Sequence, residues 1–129
     1  MTQERAPSIY EQVGGKETFE RLASEFYDGV DKDPVLRPLF VEESLDLPKR
    51  RLALFLIQYF GGPQQYMLER GHPRLRLRHL PFSIGPEERD AWVERMLAAI
   101  DAVGIAEPAR SEMRNYFQAA ATFLMNRTG

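Results

Sequence analysis

The chain has 129 residues, 43% of them apolar, which suits one domain with a substantial core. Lys and Arg (17) nearly balance Asp and Glu (19), and the formal net charge of −2 argues against a broad nucleic-acid surface, which shows as an excess of basic residues. With no cysteine, disulfides, thiol chemistry and cysteine-built zinc sites are excluded.

A single domain over residues 1–129 is expected, with residues 1–7 as a flexible extension. Met1 to Ser8 is polar and lacks the apolar stretch of a secretory signal. The longest mostly apolar run, Leu52 to Phe60, is too short to span a bilayer. These features predict a cytoplasmic protein with no membrane partner.

In chain order the apolar spacing is helical and no stretch alternates as a strand would. Phe19, Leu22, Ala23, Phe26, Tyr27 and Val30 share one face, predicting a helix from about Lys16 to Val30. Gly14-Gly15 breaks the chain before it and Asp33-Pro34 stops it. A short apolar corner follows at Val35 to Phe40. The next helix is predicted from about Leu47 to Phe60, with Pro48 in its first turn and Leu52, Phe55, Leu56 and Tyr59 inward. Gln64 to Ser83 carries Gly71, Pro73, Pro81 and the arginines Arg70, Arg74, Arg76 and Arg78; it reads as loop with one or two short helices. Gly85-Pro86-Glu87-Glu88 is a helix start, with proline at the first position and carboxylates at the positive end of the dipole. Trp92, Val93, Met96, Leu97, Ile100 and Val103 form its buried stripe, and Gly104 ends it. A last helix is predicted from about Pro108 to Asn126, with Met113, Phe117, Ala120, Ala121 and Leu124 inward. The class is all-α, with the main helices joined as two pairs.

His72 and His79 are the only histidines. No helical zinc motif, no supported nucleophile and no phosphate loop accompanies them. Iron in haem needs only one protein ligand, and imidazole suits it. Arg74 to Phe82 sets His79 among apolar residues, with arginines able to pair with two propionates. On spacing alone three readings stand: a haem ligand, a hydrogen-bonded core histidine beside solvated arginines, and an RNA-binding strip. The last lacks stacking aromatics between the arginines.

The order of motifs resembles one family across nearly the whole chain, from about Ser8 to Asn126. The matching residues are Tyr10 to Gly15, Phe26-Tyr27, Gln58 to Pro63, Arg70 to Leu75, Arg78-His79 with Pro81-Phe82, and Glu88 to Trp92. Together they resemble the group II, or O-type, truncated haemoglobins. That resemblance implies a truncated globin fold, a two-over-two helical sandwich around haem b (iron protoporphyrin IX). It implies His79 as the metal ligand and Tyr27 and Trp92 as hydrogen-bond donors to the bound gas. Phe40, Leu52, Phe55, Leu56, Phe82, Trp92 and Met96 are implied haem contacts, with Tyr66, His72, Arg76 and Arg78 toward the propionates.

Two departures stand out against the family pattern. Relatives often carry tyrosine where this chain has Phe40, and a small residue where it has Pro48, a position read as a gate near the haem edge. A simpler distal network is expected, with entry past Pro48 ungated by a polar side chain. The expected function is binding of O2, CO, NO or similar gases for oxygen transport or storage, by a monomer or homodimer. The alternatives are a haem-based redox enzyme (NO dioxygenation or peroxidase-like chemistry) served by a reductase, and a haem-free helical interaction domain.

Overall fold

The computed structural model describes residues 6–128. The expected N-terminal extension lies mostly outside them. The described residues form α-helices and one short 3₁₀ turn, with no strand among them.

The chain begins with α1 (Ile9–Val13), which sequence patterning did not reveal. It is under two turns long, too short for a periodic signal. Ser8 caps it, its Oγ accepting from the Glu11 N–H at 3.2 Å. Gly14 and Gly15 both take positive φ, +105° and +77°, which reverses the chain at little steric cost.

The long helix α2 (Lys16–Asp31) follows, with the expected stripe of Phe19, Leu22, Ala23, Phe26, Tyr27 and Val30 buried. Asp33 then forms the corner. Its Oδ1 accepts from the N–H groups of Val35 at 2.8 Å and Leu36 at 3.1 Å, and its Oδ2 accepts from Arg95 Nε at 2.9 Å. The apolar corner becomes a 3₁₀ turn, Arg37–Leu39. The Arg37 guanidinium donates to the carbonyls of Phe40, Glu42 and Glu43, holding the exit from that turn.

The next long helix is α3 (Asp46–Tyr59), within a residue of the expected bounds at each end. Tyr59 does not point inward as expected. It is 52% exposed and lies against Tyr116, with ring centroids 4.2 Å apart. Phe60, one residue on, takes the interior place against Phe19 and Phe117. Gly62 allows the chain to pass α1 closely: a Cβ there would lie 2.7 Å from both Ile57 and Tyr10.

Two short helices occupy the arginine-rich stretch, α4 (Gln65–Arg70) and α5 (Leu75–His79). Then α6 (Pro86–Val103) opens with Pro86 in its first turn and Glu88 reaching back to the Gly85 N–H at 2.8 Å. Gly104 closes it at φ +81°. The final helix, α7 (Ala109–Phe123), stops three residues before the expected end. Beyond it the backbone and side chain of Asn126 bond across to Ile84 instead of continuing the helix.

Helix α2 packs on α3 and on α6, and α6 packs on α7. The pairs α2–α3 and α6–α7 thus form two layers, the expected two-over-two sandwich. Phe19, Phe26, Met96, Ile100, Met113 and Phe117 fill the space between them, each at most 1% exposed. Burial of that extent contributes about 1.5–3 kcal/mol per large side chain. Among the described residues no helix is long and apolar enough to cross a membrane.

Candidate functional site

A cavity with about 1050 Å³ of empty space, its mouth included, opens between the layers. Helix α2 contributes Phe26, Tyr27 and Val30; the corner contributes Leu36, Leu39 and Phe40; α3 contributes Leu52, Phe55 and Leu56. Leu75, His79, Phe82 and Ile84 close another side, α6 and α7 supply Trp92, Tyr116, Phe117, Ala120 and Ala121, and Leu124 follows at the end of α7. Charged side chains on the lining are Glu88 and Arg89, from the first turn of α6. A large apolar cavity with a few convergent polar groups is the ordinary form of a cofactor site.

The polar groups of this lining are set by the helices that carry them. His79 ends α5, and its Nδ1 lies 2.6 Å from the Leu75 carbonyl one turn back. A carbonyl only accepts, so Nδ1 carries the proton. In the neutral ring this leaves the lone pair on Nε2, which has no hydrogen-bond partner among the described residues. Phe82 lies beside the ring at 6.1 Å.

Tyr27 and Trp92 both pack against Phe26, with ring centroids at 5.0 and 5.2 Å, although they come from different helices. Phe40 meets the Tyr27 ring edge-on at 5.7 Å. Neither the Tyr27 hydroxyl nor the Trp92 indole N–H has a hydrogen-bond partner among the described residues. Burial pushes the Tyr27 hydroxyl pKa up beyond its ordinary value, and the Glu42 carboxylate adds to the effect. The group is therefore a neutral donor throughout the physiological range. Tyr116, also on the lining, is pushed up to about 12, by burial and then by Tyr59.

Of the residues singled out from sequence, His79, Tyr27, Phe40, Leu52, Phe55, Leu56, Phe82 and Trp92 meet at this cavity. The others lie elsewhere. Met96 is wholly buried in the core. Tyr66 is 4% exposed behind Phe55, with the guanidinium groups of Arg70 and Arg78 over its ring. Arg78 donates to the carbonyls of Pro73 at 2.6 Å and Arg70 at 2.9 Å, so it shapes its own loop. Arg76 lies over the Phe123 ring at 5.4 Å. His72 is exposed, its Nδ1 accepting from the Arg74 N–H at 3.1 Å. Pro48 is half-buried and off the lining. Sequence reasoning missed Ile84, Glu88 and Tyr116 as lining residues. Tyr116 falls one position before the recognised inward residue Phe117, which makes it a shoulder of that stripe.

A two-layer helical sandwich around an apolar cavity with one imidazole on its wall is the architecture of a globin. The family described as bacterial-like globin matches residues 8–126. The group 2 truncated hemoglobin YjbI of Bacillus subtilis is 40% identical over 119 residues, covering 92% of this chain and 89% of that protein. The crystal structure of a hemoglobin from the thermophilic phototrophic bacterium Chloroflexus aurantiacus is similar with a TM-score of 0.92 and 57% identity, covering 95% of this chain and all of that one. The X-ray structure of a truncated oxygen-avid haemoglobin from Bacillus subtilis has a TM-score of 0.88 and 38% identity, covering 93% of this chain and all of that one. The chain belongs to the bacterial-like globin family, and its resemblance to the group II truncated haemoglobins holds.

Proposed function

We propose that this globin binds O2 and related diatomic gases reversibly, on a haem b held by His79 and enclosed by the cavity between the two helical layers. The residues present fit such a group. The cavity wall is mostly apolar, as a macrocycle requires, and it carries an imidazole whose Nε2 is left unpartnered. Haem, when bound, supplies an iron that takes one imidazole nitrogen and one small gas molecule. The Leu75 carbonyl orients the His79 ring and fixes its tautomer. Tyr27 and Trp92 offer two donors from a shared aromatic wall, in apolar surroundings where each hydrogen bond is stronger than in water. Phe40 brings no hydroxyl, so nothing on the corner competes for the Tyr27 O–H. Among the described residues, Glu88 and Arg89 carry the charge on the lining, at the start of α6.

The observation that carries this reading is the convergence of His79, Tyr27 and Trp92 on one cavity. The likeness to an oxygen-avid truncated haemoglobin supports O2 as the ligand. Stopped-flow mixing of the reduced, haem-loaded protein with O2 tests it. The expected result is a saturable spectral change that reverses when the gas is removed. Immediate irreversible oxidation on first contact with O2 would overturn it.

A further inference from the structure

The histidine that closes the cavity sits on an element that cannot hold itself. Helix α5 has five residues, has no side-chain cap, and follows Arg74 in a left-handed conformation at φ +44°. An isolated helix of that length is unstable in water. No long helix packs extensively against it, and Leu77 and Leu80 are each 57% exposed. What holds the C-terminal side of this segment comes from the other end of the chain.

After α7 ends, Asn126 lies along residues 79–84. Its backbone N–H donates to the Ile84 carbonyl at 2.8 Å, and its Oδ1 accepts from the Ile84 N–H at 2.8 Å. Its Nδ2 donates to the Phe82 carbonyl at 2.7 Å and to the carbonyl of His79 itself at 3.3 Å. Arg127 continues the seam, its N–H donating to Ile84 at 3.2 Å, its Nε to Ser83 Oγ at 2.7 Å, and its Nη2 to the Glu88 carboxylate. Gly85 makes room for it, because a Cβ there would lie 2.5 Å from the guanidinium. The side-chain amide is used at both ends. One end pairs with the Ile84 backbone, and the other bridges two carbonyls that belong to the histidine segment and to the Phe82 turn.

We infer that Asn126 is a positioning residue for His79: the C-terminal tail locks the proximal segment, and the amide Nδ2 sets how firmly the imidazole is presented to the haem. The inference rests on the reading of His79 as the iron ligand. Helix α7 lines the cavity through Tyr116, Phe117, Ala120 and Ala121, with Leu124 just past its end, so the same helix that walls the haem site leads into the lock.

The test uses the full chain with Asn126→Ala and Asn126→Asp. Aspartate keeps an acceptor for the Ile84 N–H but turns a carboxylate oxygen toward the His79 and Phe82 carbonyls, removing the donor and adding repulsion, whereas alanine removes both ends of the amide without adding charge. Haem transfer to excess apomyoglobin, the iron–histidine stretching band of the reduced protein, and the urea midpoint of the haem-free chain are measured together. Both variants are expected to lose haem about tenfold faster, the scale of two weak hydrogen bonds removed. They are also expected to shift or broaden the stretching band. Parent-like loss rates and band in both variants would overturn the inference. So would faster loss that merely tracks a lower urea midpoint, with the band unchanged. His79→Gly separates the underlying assignment: if that variant keeps the histidine band without added imidazole, the ligand reading itself fails, whatever Asn126 does.

Discussion

The Nδ1–H of His79 donates to the carbonyl oxygen of Leu75 across 2.6 Å, a bond within a five-residue helix. That single contact settles which ring nitrogen faces away from the backbone. It also limits rotation of the ring, so Nε2 is presented in one orientation. Removing the imidazole removes both properties. His79→Gly is expected to lower haem retention by more than about tenfold, and added imidazole is expected to restore the parent spectrum. Haemin titration with and without imidazole measures this.

The Tyr27 hydroxyl and the Trp92 indole N–H share an aromatic wall without partners of their own among the described residues. Tyr27→Phe and Trp92→Phe are each expected to speed O2 dissociation about three- to tenfold, the scale of one net hydrogen bond. Unchanged rates in both variants would remove these residues from the account. Because burial raises the Tyr27 pKa above its ordinary value of 10.0, the parent rate is expected to stay flat from pH 6 to pH 9 as far as this group governs it.

Asp33 shapes the corner that carries Leu36, Leu39 and Phe40 to the cavity. Burial alone would raise its carboxyl. The hydrogen bonds from Arg95, Val35 and Leu36 outweigh that and hold the pKa below the ordinary carboxylate value. A depressed folded value contributes stability that is present above the unfolded pKa and is lost as pH falls through the folded one. Asp33→Ala leaves two backbone donors unpaired and is expected to cost about 1–3 kcal/mol at pH 7. Urea unfolding of the haem-free chain should show the difference from the parent narrowing below about pH 4. A difference independent of pH would mean that the ionised carboxylate is not what holds the corner.

Pro48 lies in the first turn of α3, off the cavity lining. Its expected place as a gate residue therefore has no geometric counterpart here. Pro48→Ala is expected to leave CO association within about twofold of the parent, because no contact with the cavity changes. Flash photolysis of the CO complex measures this, and a larger change would return Pro48 to the entry route.

Long periodic helices were legible in the amino-acid sequence because each buries one continuous face. Phe19 to Val30 and Val93 to Ile100 show this, and Gly104 and Pro86 punctuate their ends. Tyr59 misled because the spacing that marks an inward face also admits a residue on its shoulder, and Phe60 took the interior. Helix α1 was invisible, since five residues carry no period. At the candidate site, His79, Tyr27 and Trp92 were singled out only through the order of motifs, since spacing alone favoured a core histidine and two packed aromatics. The Asn126 seam had no signal in the sequence at all. It joins residues more than 40 positions apart, pairing one side-chain amide with backbone groups of residues 79–84, and no local spacing marks which backbone a distant asparagine will meet.

The absorption spectrum of the reduced protein, with and without CO, tests the central claim most directly. A haem held by His79 predicts an intense Soret band that sharpens and moves to shorter wavelength when CO is added. A chain that stays colourless after equimolar haemin, with no Soret band and no response to CO, would contradict it.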